Sequence, residues 1–97
     1  MAVMEKIYNQ NQSVLLNVLF DIAEMRKTSV KRLDQERFLM DTEMYGRKIP
    51  YIFRIVPAGE GTSVTVENEG EKDYAGQGVE LMFAIIENLL SPFVQVK

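Results

Sequence analysis

The sequence predicts an α+β domain. It reads as an antiparallel β-meander of three to four strands, with an N-terminal and a C-terminal helix packed on one face, in the order (β)-α-β-β-β-α. Three observations carry this. Residues 14–25 and 79–90 have apolar positions recurring on a broad helical face. Residues 38–45, 51–56 and 62–67 alternate with the period of two expected of half-buried strands. The strand runs lie together between the helices rather than alternating with them, which favours an antiparallel sheet with helices on one side.

Val3 to Tyr8 is short and mixed, with Val3 and Ile7 apolar, and suits either a first strand or the lead-in to a helix. The polar run at 9–12 punctuates it. Ser13 or Asn11 serves as N-cap, because either side chain accepts from a free helix N–H. From Val14 to Met25 the polar residues are Asn17, Asp21 and Glu24, one stripe on an otherwise apolar helix. Arg26 and Lys27 follow, where cations suit the carbonyl end of the helix dipole. Val30 to Glu36 suits a short strand or a continuing turn.

From Phe38 to Tyr45, Phe38, Met40, Thr42 and Met44 share one face, and Leu39, Asp41, Glu43 and Tyr45 the other. Gly46-Arg47-Lys48 makes a turn. Pro50 argues against a central strand at its own position, since it has no N–H for the ladder. In the next strand Tyr51, Phe53 and Ile55 oppose Ile52, Arg54 and Val56. Pro57-Ala58-Gly59-Glu60-Gly61 is a hairpin connection whose two glycines tolerate positive φ. It leads to Thr62–Glu67, with Val64 and Val66 inward. The expected inner face is Phe38, Met40, Met44, Tyr51, Phe53, Ile55, Val64 and Val66. Asn68 to Tyr74 reads as an acidic loop, with Asp73 or a neighbour capping the next helix. Gly76-Gln77-Gly78 then precedes that helix, as a flexible entry or a point of close packing on the sheet, and Pro92 stops it.

Composition narrows the chemistry. The 97 residues make one domain, 1–97, with 46% apolar and 26% charged residues. There is no Cys, His or Trp. That removes disulfides, thiolate nucleophiles, Cys/His zinc sites and a histidine general base. No metal or cofactor is expected, and an enzyme is not expected. The net charge of −3 disfavours nucleic acid as a partner. Charge is uneven: residues 1–54 carry nine basic and seven acidic groups, and residues 55–97 carry two and seven. The acids at Glu67, Glu69, Glu71 and Asp73 read as a solvated edge. The longest apolar run, Leu81 to Ile86, is far short of the ~20 residues of a membrane span, so no membrane partner is expected. The N-terminal segment lacks the pattern of an export signal, which points to the cytoplasm.

Burial is hard to balance with one small sheet. Both helices have broad apolar faces, and Leu39, Tyr45, Ile52 and Val56 fall on the sheet face that water should meet. Together with Ile85 on the last helix they form a candidate interface, and a homodimer is the leading expectation. The competing reading packs the helices on each other and leaves those residues scattered.

The element order and the hairpin Arg54-Ile55-Val56-Pro57-Ala58-Gly59-Glu60-Gly61-Thr62-Ser63-Val64-Thr65-Val66 resemble the START/polyketide-cyclase-like helix-grip domains. The resemblance implies a small apolar ligand held between the last helix and the sheet. Phe38, Met40, Tyr51, Phe53, Met82, Phe83 and Ile86 would then line the site. On the residues alone, the same seven are equally a plain core.

Overall fold

A computed structural model describes residues 2–44, 47–68 and 72–94. The elements are β1 (Ala2–Tyr8), α1 (Gln12–Met25), β2 (Val30–Arg32), β3 (Arg37–Met44), β4 (Arg47–Ala58), β5 (Gly61–Asn68) and α2 (Lys72–Val94). The five strands form one antiparallel sheet in the order β1-β5-β4-β3-β2. The α+β class and the two helices on one face are as expected. The strand count is five, because both ambiguous segments, 2–8 and 30–32, join the sheet at its opposite edges.

Strands β2 to β5 form a meander, and β1 returns to pair with β5 after the chain has passed through α1. α1 lies over β4 and β5, and α2 over β1 and β5, where the two helices also touch. The result is a helix-grip-like arrangement, in which a long C-terminal helix is held against an antiparallel sheet.

Local chemistry explains the boundaries. Asn11, not Ser13, caps α1: its Oδ1 accepts from the Val14 N–H at 3.1 Å. The helix ends at Arg26, and Lys27 takes φ +57°. The Thr28 N–H then donates to the Ala23 carbonyl at 2.9 Å, and the Lys27 N–H to Glu24 at 3.1 Å. This is the Schellman pair of bonds, made with lysine at the left-handed position that glycine normally fills. Between β4 and β5 only Gly59 has positive φ (+61°), at the first position of a two-residue turn, as the primed hairpin turns require. Gly61 stays in the ladder opposite Ala58.

Two expectations about α2 are corrected. The helix begins at Lys72, so Gly76-Gln77-Gly78 lies within it rather than before it. It also continues through Pro92 to Val94. Gly78 is buried, and a Cβ there would collide with the Tyr51 hydroxyl and ring. Close packing on the sheet is thus the reading that holds for this glycine. The loop expected over Asn68–Tyr74 is shorter than that: Asn68 ends β5 and residues 72–74 are already in α2, so Asp73 is within the helix rather than its N-cap, and of this segment only Glu69, Gly70 and Glu71 lie outside the described residues.

The core is one cluster between the sheet and both helices. Leu15, Val18, Leu19 and Ile22 come from α1, and Val79, Met82, Phe83, Ile86 and Leu90 from α2. They meet Phe38, Met40, Tyr51, Phe53, Ile55, Val64 and Val66 from the sheet. Met44, expected on this face, lies outside the described side chains. Among the described residues no helix is long and apolar enough to cross a membrane.

Candidate interaction surfaces

Strand pairing fixes which residues face away from the helices. Val3, Glu67, Ile52, Leu39 and Lys31 stand in one cross-strand row from β1 to β2. Glu5, Thr65, Arg54 and Arg37 form the next row, and Ile7, Ser63 and Val56 a third. Three of the five expected interface residues, Leu39, Ile52 and Val56, therefore share this outer face, each half-buried. Ile85 does not join them. It sits on α2, across the sheet, packed partly against the core. Tyr45 lies outside the described residues.

The same face carries two residues that were not singled out from the sequence as interface residues, Val3 and Ile7, at 57% and 65% exposure. Both lie on edge strand β1 and point away from the helices. Their neighbours Met4, Lys6 and Tyr8 point towards α2. The Lys6 ammonium reaches Glu87 at 2.9 Å and lies 5.4 Å from the Phe83 ring centre. The Tyr8 hydroxyl donates to the same carboxylate at 3.0 Å. Burial raises the Tyr8 pKa, and accepting by Glu87 raises it further. The hydrogen bond from Lys6, then that from Tyr8, lowers the Glu87 pKa. This triad clamps β1 to α2 with polar groups, which is why apolar alternation reads inverted along the strand.

In these three rows charge is sorted by side, whereas Asp41, further along β3 on the same face, places an exposed acid on the side of the bases. Glu5 and Glu67 are on β1 and β5, whereas Arg54, Arg37 and Lys31 are on β4, β3 and β2. Glu5 accepts a hydrogen bond from Ser63. Arg54 pairs with Glu36 at 2.9 Å, and Arg37 with Asp34 at 2.7 Å. Asp34 also accepts from the backbone N–H groups of Glu36 and Arg37 at 2.9 and 2.8 Å. Those backbone bonds, with the Arg37 bond, hold its carboxyl down to about 2.

The seven expected ligand-lining residues, Phe38, Met40, Tyr51, Phe53, Met82, Phe83 and Ile86, are all buried and brought into the one core cluster. A void of about 10 Å³ lies among Leu15, Leu19, Ile22, Phe53, Ile55, Val64 and Ile86, close to the size of one water. Much larger is a groove of about 570 Å³ between α1 and the β2–β3 hairpin. Leu16 and Phe20 line it from α1, and Val30 and Arg32 from β2. Phe38 and Pro57 complete its apolar floor, while Gln12, Gln35 and Glu36 stand at its polar rim. Of the residues expected to line a ligand site, only Phe38 reaches this groove. Phe20 is apolar on an apolar helix, so its position outside the core is not readable from periodicity. It is 50% exposed.

No protein-family model matches the chain, and no curated protein matches it in sequence. Among solved structures, the chain is similar to that titled "Crystal structure of Ara h 8.0201", with 13% sequence identity, coverage of 96% of this chain and 95% of that one, and a TM-score of 0.47.

Proposed function

We propose that the chain is a small, cytoplasmic, non-enzymatic interaction domain that forms a homodimer through the outer face of its sheet. The observation that supports this is the uncovered row pattern: exposed Val3 and Ile7 beside half-buried Leu39, Ile52 and Val56, with acids at one side and bases at the other. An open antiparallel face ordinarily shows a cleaner polar pattern. A two-fold axis running along β4, in the plane between two such faces, lays the Glu5–Glu67 side of one copy over the Arg37–Lys31 side of the other. The contact is then isologous, and its charges are complementary. Five strands at the usual spacing give a face of roughly 600 Å² per copy, or about 1,200 Å² in a pair, the lower end of a specific interface.

Sedimentation velocity over a range of protein concentrations and at two salt concentrations tests this. The wild-type chain is expected to dimerise, more weakly at high salt because rim charges are screened. Ile7→Glu is expected to give a monomer with an unchanged far-UV spectrum. A wild-type chain that stays monomeric at all concentrations, or an Ile7→Glu chain that remains dimeric, overturns the proposal. The carrier that the START/polyketide-cyclase resemblance implies is a second reading; the small interior void means that α2 must move off the sheet to admit a ligand there.

A further inference from the structure

The groove between α1 and the β2–β3 hairpin lies away from the outer sheet face and meets the core at Phe38. Its volume, about 570 Å³, is within the range that holds a small molecule. Its floor is apolar and includes half-exposed Phe20, a side chain that gains by being covered. Its charged groups are Arg32 and Glu36, and they are not equivalent. Arg54 donates to one Glu36 oxygen from both Nε and Nη2, at 3.1 and 2.9 Å, so the carboxylate is already paired. Arg32 gives its Nε to the Asp34 carbonyl at 3.0 Å, and its guanidinium lies 5.8 Å from the Phe38 ring centre. The ring contact and the backbone bond orient Arg32 at the groove, and no carboxylate among the described residues forms an ion pair with it. The uncompensated charge at this apolar groove is therefore positive.

We infer that this groove binds a small amphipathic monocarboxylate, with its apolar body against Leu16, Phe20 and Val30 and its carboxylate on the outer guanidinium nitrogens of Arg32. The fork of an arginine suits a planar carboxylate, and a charge-assisted hydrogen bond is stronger than a neutral one. The apolar floor supplies attraction without direction, and Arg32 supplies the choice of head group.

The test uses the full-length chain with decanoate, and with decanol and decylamine as the neutral and cationic probes of the same length, all kept below their aggregation concentrations. Amide chemical-shift titration reports both affinity and place. Decanoate is expected to shift residues of α1, β2 and the 33–37 segment, and to bind about five- to tenfold more tightly than decanol. Arg32→Gln is expected to bring decanoate down to the level of decanol and leave decanol unchanged. Phe20→Ser is expected to weaken both alike, and serves as the second variant if Arg32→Gln is unfolded by its spectrum. Equal affinity for the three probes overturns the inference, as do shifts confined to the outer sheet face or the core. Failure of the dimer proposal leaves these outcomes unaffected, because Ile7→Glu retains the groove.

Discussion

Replacing Lys27 with glycine should leave this protein more stable than replacing it with alanine. Lys27 sits one residue beyond the end of α1 at φ +57°, with its side chain exposed. In that conformation an L side chain's Cβ crowds the following carbonyl, at a cost of roughly 1–2 kcal/mol. Glycine removes that crowding, but its greater freedom in the unfolded chain takes back roughly 0.5–1 kcal/mol. The backbone balance is a gain of about 1 kcal/mol over alanine at this position, and both Schellman bonds remain available because they use backbone groups alone. For a domain of this size that places the Tm of Lys27→Gly roughly 4–8 °C above that of Lys27→Ala. Lys27 also places a cation near the end of the α1 dipole, worth roughly 0.3–1 kcal/mol. Lys27→Ala isolates that part, since it loses the charge and keeps the Cβ. Urea denaturation at fixed protomer concentration is the assay, with the slope expected to be unchanged. If Lys27→Gly proves no more stable than Lys27→Ala, backbone crowding at Lys27 is not a source of instability and the reasoning fails.

Other perturbations have equally definite outcomes. Gly78→Ala adds a methyl group where the Tyr51 hydroxyl already stands, and despite better helix propensity it should destabilise by about 1–3 kcal/mol. A cycle with Tyr51→Phe should be non-additive, and strict additivity would place the damage elsewhere. Asp34 should titrate by NMR near pH 2, and its folded pKa lies below the unfolded one. Its contribution to stability is therefore complete above about pH 4 and is lost as the pH falls towards 2. A titration at the ordinary aspartate value would show that the backbone bonds are not formed in solution. Tyr8→Phe should raise the Glu87 pKa towards its ordinary value and destabilise by roughly 0.5–1 kcal/mol, a modest figure because the carboxylate is solvated. An unmoved Glu87 titration in that variant would mean that Lys6 alone sets it.

Much of the fold is legible because most elements bury one face and wet the other. Phe38, Met40, Tyr51, Phe53, Val64 and Val66 alternate with residues facing away, and all six are in the core. The strand at 2–8 is obscure for a physical reason. Its helix-facing residues include Lys6 and Tyr8, which are satisfied by one carboxylate on α2, while its apolar Val3 and Ile7 face outward. The strand at 30–32 is three residues long, two of them basic, too short to show a period. The early turns of α2 contain two glycines, which lower helix propensity and disguise where the helix starts, although close packing on the sheet is one of the two roles the sequence suggests for them and Gly78 takes it. Three of the five apolar residues described on the outer face, Leu39, Ile52 and Val56, are readable from the sequence. The groove is not, because it depends on where Phe20 of α1 meets Arg32 of β2, a tertiary fact with no local signature.

The pairing of β1 with β5 carries a consequence for how the molecule comes into being. Ala2 is opposite Asn68 and Tyr8 opposite Thr62, so the first strand made must wait for nearly the last. Closing so long a loop is entropically demanding and comes after the local hairpins of the meander can form. During synthesis, residues 2–25 therefore emerge before any sheet exists to receive them, and α1 presents Leu15, Val18, Leu19 and Ile22 uncovered until β4 and β5 appear. The meander from β2 to β5 can assemble by neighbour-to-neighbour contacts. The N-terminal strand and both helices then have to settle on it together. A chain stopped short of residue 61 would leave β1 without its partner strand, so the native placement of residues 2–25 has to wait until β5 has been made.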